Sequence, residues 1–140
     1  MLIDDGLELL SEDQCRALLG PAGVGRVGIT IAGLPVIMPV NYVFVDGDVV
    51  FRTGDGTKLH AASNGAVIAF EVDAFDPAVH SGWSVLAIGR SETVSDPGEI
   101  DRLNGRASSP WAGGERTHLV RLHPEMLTGR RIAPGPPDRD

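Results

Sequence analysis

The sequence predicts a mainly β fold, an antiparallel barrel of six or seven strands with two or three small helices. Apolar residues alternate with small or polar ones over much of residues 24–53, and this period of two is typical of strands. The pair Asp46-Gly47, between Val45 and Val49, predicts a tight hairpin. No helix separates the first three predicted strands, which argues against a βαβ nucleotide-binding fold.

The first predicted helix begins at a capping box. The Ser11 hydroxyl can accept the Gln14 backbone N–H, and the Gln14 side chain can reach back to Ser11. The residues that follow form one apolar stripe: Cys15, Leu18 and Leu19. The Gly-Pro pair at 20–21 ends the helix. We expect the helix to cover one end of the barrel, with Cys15 as a small core residue.

Three strands are predicted next, over residues 24–31, 35–45 and 48–53. Pro39 cannot donate to a strand ladder, so its strand should run along an edge or contain a bulge. The remaining predicted elements are a helix over 57–63, a strand over 66–72, a loop over 74–81, a strand over 82–94, a helix capped by Asp96 that ends near Gly105, and strands over 117–122 and 127–132. One domain over residues 1–133 and a loose proline-rich tail over 134–140 are expected.

Composition excludes several classes of protein. The formal net charge is -7 and no basic run exceeds Arg130-Arg131, so nucleic acid is not an expected partner. No apolar run approaches the roughly 20 residues of a membrane span, and no basic segment precedes an apolar stretch at the start of the chain. Cys15 is the one cysteine, which excludes an internal disulfide and agrees with a cytoplasmic location.

Residues 52–58 form the segment richest in candidate binding groups. Arg52 and Lys58 supply positive charge, Thr53 and Thr57 supply hydroxyls, and two glycines between them allow close backbone approach. A strand precedes the segment and a short helix follows it, which is an arrangement that can bind phosphate. The alternative is an ordinary surface turn with solvated charges. The spacing does not match a Walker loop.

The histidines and tryptophans carry weaker signals. None of the pairs among His60, His80, His118 and His123 has the helical spacing of metal ligands, and no metal site is predicted. His118 and His123 are five residues apart, so an unbroken strand would point them to opposite faces. Trp111 lies in an irregular segment and can pack on a flat ligand or a partner chain, whereas Trp83 can belong to the core.

The order of these features resembles the flavin-binding split-barrel family that includes pyridoxamine-phosphate oxidases and nitroimidazole-resistance-type proteins. The resemblance covers residues 10–132. The matching pieces are Gly25-Arg26-Val27-Gly28, Pro35, Met38-Pro39-Val40-Asn41-Tyr42, Phe51-Arg52-Thr53-Gly54 with Lys58, Phe70-Glu71-Val72-Asp73, Gly82-Trp83-Ser84-Val85, Gly89-Arg90 and Thr128-Gly129-Arg130-Arg131-Ile132.

This resemblance implies a split β-barrel that forms a homodimer with two flavin mononucleotides (FMN) at the subunit interface. It implies an oxidoreductase acting on a small planar substrate. The implied cofactor residues are Met38, Pro39, Val40 and Asn41 beside the ring, Arg52, Thr53, Thr57 and Lys58 at the phosphate, and Trp83 and Trp111 as walls.

Two alternatives stay open. One is a deazaflavin-dependent reductase in the same groove, and the other is a flavin- or haem-binding module without turnover. No side chain stands out as a general acid or base, which is expected where a flavin carries the redox chemistry. The chain is shorter than the vitamin oxidases and matches their C-terminal motif only loosely at 130–134, so pyridoxamine phosphate is not the expected substrate.

Overall fold

The computed structural model describes residues 3–4, 7–105 and 117–132 of the chain. These residues form nine strands and three short helices. In chain order they are β1 (Ile3–Asp4), β2 (Leu7–Leu9), α1 (Glu12–Leu19), β3 (Ala22–Ile31), β4 (Leu34–Val45), β5 (Asp48–Gly54), α2 (Lys58–Ala62), β6 (Val67–Asp76), β7 (Ser81–Thr93), α3 (Pro97–Asn104), β8 (Thr117–Leu122) and β9 (Met126–Ile132).

The strands form an antiparallel barrel that splits along β7. The sheet order is β1-β2-β9-β7-β6-β3-β4-β5-β8, and a further pairing between β7 and β8 closes six strands into a ring. The first part of β7 pairs with β9, and its last residues, 91–93, pair instead with β8. One long strand therefore serves both the closed barrel and the extension made by β9, β2 and β1, and the predicted split β-barrel is confirmed.

Two hydrophobic clusters hold the fold together. The larger one fills the barrel and includes Phe51 and Phe70, which are almost fully buried. The smaller one lies outside the barrel wall, where Leu103 of α3 covers Val50 of β5. Because successive strand residues point to opposite faces, β5 buries Phe51 in one cluster and Val50 in the other. Both faces of β5 are thus covered in its first half.

The first helix matches its prediction. Ser11 Oγ accepts the Gln14 backbone N–H at 3.1 Å, and the Ser11 backbone N–H donates to Gln14 Oε1 at 2.8 Å. Cys15 is fully buried in the barrel cluster. The Tyr42 hydroxyl donates to the Leu19 carbonyl at 2.6 Å and so joins the end of α1 to the barrel wall.

Two parts of the strand prediction are wrong. The loop predicted over 74–81 is a hairpin instead, because β6 continues to Asp76 and β7 begins at Ser81. The end of β6 is exposed on both faces, so no buried alternation marks it in the sequence. The short strands β1 and β2 were not predicted. Two and three residues are too few to show a period of two.

Candidate functional site

The turn between β5 and α2 brings Thr57 and Lys58 to the end of a barrel strand. Thr57 caps α2: its hydroxyl donates to the Gly54 carbonyl at 2.7 Å and accepts the His60 backbone N–H at 3.1 Å. Gly56 has φ 74°, a conformation that favours glycine. Lys58, the first residue of α2, is exposed. The turn therefore presents the Lys58 ammonium group from a backbone that Thr57 holds in place.

Arg52 and Thr53 point to opposite faces of β5. The Arg52 guanidinium donates through Nη2 to Asn104 Oδ1 of α3 at 2.6 Å, and its buried Nε has no hydrogen-bond partner among the described residues. Thr53 is 2% exposed and faces His118, its pairing partner on β8. The structure thus buries Thr53 opposite His118 and directs Arg52 towards α3. A role for Arg52 at a phosphate stays a prediction.

Two histidines and an aspartate meet beside this turn. The rings of His60 and His118 stack with centroids 4.1 Å apart and planes 16° apart. His60 Nδ1 lies 3.0 Å from Thr53 Oγ1, and His118 Nε2 lies 3.0 Å from Asp55 Oδ1. The hydrogen bond with His118 lowers the pKa of Asp55, and the nearby imidazoles lower it further by their charge.

The histidine pair is the feature that the sequence did not reveal. His118 comes next to α2 because β8 pairs with β5 along its length, with His118 opposite Thr53. That pairing joins distant parts of the chain and leaves no local signal in spacing.

Residues 38–41 lie where the barrel wall opens. Strands β4 and β5 pair from their hairpin as far as Tyr42 opposite Phe51. Beyond that pair they separate, although β5 continues to Gly54 and stays paired with β8 on its other side. Residues 38–41 stay paired with β3 on one side. Pro39 therefore lies on an edge segment of β4, which confirms one of the two predictions for it. Met38 packs against the barrel cluster, and Val40 belongs to it.

Of the two tryptophans, the structure describes Trp83 and not Trp111. Trp83 is half-buried on β7 and packs against the barrel cluster, opposite Ala74 and Arg131. That Trp83 forms a wall of the flavin site stays a prediction. Trp111 lies outside the described residues, as does the predicted tail over 134–140.

A second concave region lies on what we call the outer face, the side of β3, β4, β6, β7 and β9 that carries Arg26 and Leu86. An open pocket of about 330 Å³ is present there. Its lining residues are Arg26, Gly28, Ile37, Ala69, Glu71, Asp73 and Leu86. Burial raises the pKa of Glu71, and the neighbouring Asp73 raises it further, whereas Arg26 opposes both effects.

The described residues contain neither a metal-binding cluster nor a membrane-spanning helix. No group of three or more histidine, cysteine, aspartate or glutamate side chains is arranged to hold a metal ion. None of the helices in the same part of the chain has the length and apolar character needed to cross a bilayer.

Comparison with known proteins places this geometry in a family. A sequence model described as pyridoxamine 5'-phosphate oxidase matches residues 11–131. The uncharacterized protein Rv0080 of Mycobacterium tuberculosis is 39% identical over 128 residues, covering 88% of this chain and 84% of that protein.

Solved structures agree with this assignment. The FAD binding protein from Mycobacterium smegmatis superimposes with a TM-score of 0.78 at 36% identity, covering 89% of this chain and 99% of the other. An FAD-binding protein from Mesorhizobium loti shares the fold with a TM-score of 0.74 at 21% identity, over 91% and 99% of the two chains. This chain therefore belongs to the pyridoxamine 5'-phosphate oxidase family.

Proposed function

We propose that the protein is an FMN-dependent oxidoreductase that acts on a small planar substrate and binds the flavin phosphate where β5 leads into α2. The observation that carries the proposal is the separation of β4 from β5 beyond Tyr42 and Phe51, beside the turn that presents Lys58. Membership of the family and 36% identity to a protein named for FAD binding support a flavin as the ligand.

The residues at this opening fit both ends of such a cofactor. No described residue pairs with the exposed ammonium of Lys58, which leaves that charge available for a phosphate. On the side of β4 that faces the opening, residues 38–41 have no strand partner among the described residues. Their backbone groups on that side can hydrogen-bond the polar edge of a flavin ring.

In this arrangement the flavin and the residues around it would have separate roles. A bound flavin supplies the transfer of hydride or electrons. Lys58 would bind its phosphate from the turn that Thr57 holds in place, and residues 38–41 would align its ring. The packed barrel cluster beneath Met38 excludes water from that side of the opening.

Cofactor titration tests the proposal. FMN, FAD, riboflavin and a deazaflavin are each titrated into the purified protein while flavin fluorescence and the melting temperature are recorded. We expect FMN to bind more tightly than riboflavin, which lacks the phosphate, and more tightly than the deazaflavin. Tighter binding of FAD would favour the second candidate cofactor, suggested by the Mycobacterium smegmatis protein. Failure of every flavin to bind would refute the proposal.

Turnover is tested separately from binding. The FMN-loaded protein is reduced with a nicotinamide donor and then mixed with a nitroaromatic or quinone acceptor, while flavin absorbance is followed. We expect bleaching followed by reoxidation with catalytic turnover. Binding without turnover under a range of donors and acceptors would favour the module that binds a flavin but does not react.

We also propose that the protein is a homodimer that pairs through its outer face. Large exposed hydrophobic residues collect there: Val24, Ile37, Val67, Phe75, Met126 and Ile132. An apolar patch spread over four strands is costly to leave in water, and a twofold axis covers the same patch on both copies. A single measurement of molecular mass in solution tests this proposal.

A further inference from the structure

A cluster of charged side chains lies within the apolar outer face. One guanidinium nitrogen of Arg26, on β3, contacts Glu71 at 3.0 Å and Asp73 at 3.2 Å, both on β6. The five strands of this face lie in the order β9, β7, β6, β3 and β4, so β6 is the middle one. Glu71 therefore has two strands of the face on either side of it.

Exposed apolar residues lie on both sides of this cluster along the strands. Towards the start of β6, the nearest row of paired residues on the outer face is uncharged: Ile37, Gly28, Ala69, Ile88 and Met126. Towards the end of β6, a second apolar row holds Phe75, Gly82 and Ile132. At about 3.3 Å for each strand residue, the two rows are roughly 20 Å apart. A partner that covers both rows must therefore cover Glu71 as well.

Two carboxylates share one guanidinium at this point. On β7, the residues opposite Glu71 and Asp73 are the uncharged Leu86 and Ser84. On the other side, Arg26 is the one charged residue of β3, and β4 carries no charge. Burial and the neighbouring Asp73 raise the pKa of Glu71, whereas Arg26 opposes them. Glu71 is therefore harder to ionise in a single copy of the chain than it would be in water.

Two further cations lie on the outer face at a greater distance. Arg130 of β9 lies two strands away from Asp73. Arg90, in the second half of β7, donates through Nη1 to a backbone carbonyl at 2.7 Å. The cation adjacent to Glu71 in the sheet is therefore Arg26, its direct pairing partner.

We propose that two copies pairing through the outer face take up protons on Glu71 as they associate, so that acid pH strengthens the dimer. Covering this face removes water from a cluster that holds more carboxylates than cations. A buried carboxylate without a cation of its own is costly, and protonation removes that cost. A twofold axis brings Glu71 of both copies into one interface. The inference rests on the proposed homodimer, and it adds the residue that makes association depend on pH.

Linkage gives the sign and the size of the effect. A carboxyl that binds its proton more readily in the dimer favours association as the pH falls. Each unit by which association raises the pKa of one Glu71 changes the dissociation constant of the dimer by about tenfold between the two protonation states. The dimer should therefore weaken from mildly acidic to mildly alkaline pH.

The main test is analytical ultracentrifugation of wild type and Glu71→Gln at pH 5, 6, 7 and 8. We expect the dissociation constant of the wild-type dimer to be at least about tenfold larger at pH 8 than at pH 5. Glutamine resembles the protonated carboxyl, so Glu71→Gln should match wild type at pH 5 and dimerise more tightly than wild type at pH 8. Histidines also change charge in this range, but they do so in both proteins, so the ratio of the two constants isolates Glu71.

Glu12→Gln is the matched control for this test. Glu12 is an exposed carboxylate of α1, paired with Arg16 on the helix surface. That helix packs on the other face of β9, where a Cβ at Gly129 would lie 2.6 Å from Cys15 Sγ. We expect Glu12→Gln to reproduce the wild-type dependence of the dissociation constant on pH.

Calorimetry of dimer dissociation on dilution gives a second readout on the unmodified protein. Measured at pH 6 in two buffers that differ in ionisation enthalpy, the heats report the protons released. We expect wild type to release more protons than Glu71→Gln. Equal proton release by the two proteins, or a wild-type dissociation constant that does not rise with pH, would overturn the inference and leave the dimer in place. A wild type that stays monomeric at every pH would refute the homodimer, and this inference with it.

Discussion

Arg26 lies directly opposite Glu71 in the β3–β6 pairing and bridges it to Asp73 on the outer face. Its Nη1 donates to Glu71 Oε1 at 3.0 Å and to Asp73 Oδ2 at 3.2 Å. One guanidinium thus serves two carboxylates, and the net charge of the group is negative when both are ionised. Burial and the neighbouring carboxylate outweigh Arg26, so the pKa of Glu71 is raised.

The change in unfolding free energy caused by Glu71→Gln should be more favourable to the fold at pH 7 than at pH 4. A carboxyl whose pKa is raised in the folded state binds protons more readily when folded, so ionising it lowers stability as the pH rises above its ordinary value of 4.5. The free energy of unfolding in urea, measured at both pH values, checks this. Glu125→Gln, at an exposed site, is the control. A variant that is more strongly destabilised at pH 7 than at pH 4 would mean that the ion pair with Arg26 dominates.

The sequence predicted those parts of the fold that depend on neighbours in the chain. The capping box of Ser11 and Gln14, the edge position of Pro39 and the hairpin at Asp46-Gly47 each follow from local chemistry, and each is present. The β6–β7 hairpin was missed because its tip has no buried face. Alternation of apolar and polar residues does not predict a strand segment whose two faces are both exposed.

The candidate site was only partly predictable. Thr57 and Lys58 are neighbours in the chain, and the turn brings them together as expected. Arg52 and Thr53 are also neighbours, and both are predicted to lie at the phosphate, but the period of two along a strand points them to opposite faces of β5. The contact of His60 with His118 depends on the pairing of β5 with β8, which composition and spacing do not specify.

Gly25→Ala should destabilise the barrel by about 1–3 kcal/mol, the usual cost of forcing an extra methyl group into a packed core. A Cβ at Gly25 would lie 2.5 Å from Phe70 Cζ and 3.0 Å from the Glu71 carbonyl oxygen. Phe70 is fully buried and also packs edge-on against Tyr42, so it has little room to move. Chemical denaturation of the variant measures the loss.

Gly28→Ala is the matched control for Gly25, because it lies on the same strand. A Cβ at Gly28 would meet Ala69 Cβ at 3.4 Å, an ordinary contact. We expect a change in unfolding free energy well below that of Gly25→Ala. If the two variants lose equal stability, the general cost of replacing glycine in β3 would explain the loss and the clash with Phe70 would not.

Ile37→Lys should convert the proposed homodimer into a monomer. Ile37 is 73% exposed on β4 within the outer face, and a buried lysine there would have to lose its hydration without a guaranteed partner. Analytical ultracentrifugation at micromolar concentration gives the mass. Leu34→Lys is the control, because Leu34 is 67% exposed but lies on the other side of β4. A wild type that sediments as a monomer would contradict the dimer, and an Ile37→Lys dimer would move its interface away from this face.

Asp55→Asn should lower stability at pH 6 and have little effect near pH 2. The pKa of Asp55 is lowered in the folded protein by its hydrogen bond with His118, so the folded state favours the ionised form. That contribution is fully present above the ordinary pKa of 3.8 and is lost as the pH falls through the lowered value. Melting temperatures of wild type and variant across this range report it. A difference that persists at pH 2 would assign the loss to packing.

Lys58→Ala should weaken FMN binding by about 1.5–3 kcal/mol, the scale of a hydrogen bond to a charged group. Lys58 is the sole lysine of the chain, which allows a second measurement on the unmodified protein. An amine-selective acylating reagent can modify Lys58 and the N-terminal amine, and mass spectrometry of the digested protein separates the two products. FMN should slow acylation of Lys58 and leave the N-terminal amine unaffected, whereas riboflavin should protect neither. Equal rates at Lys58 with and without saturating FMN, together with an unchanged dissociation constant for Lys58→Ala, would remove Lys58 from the phosphate site.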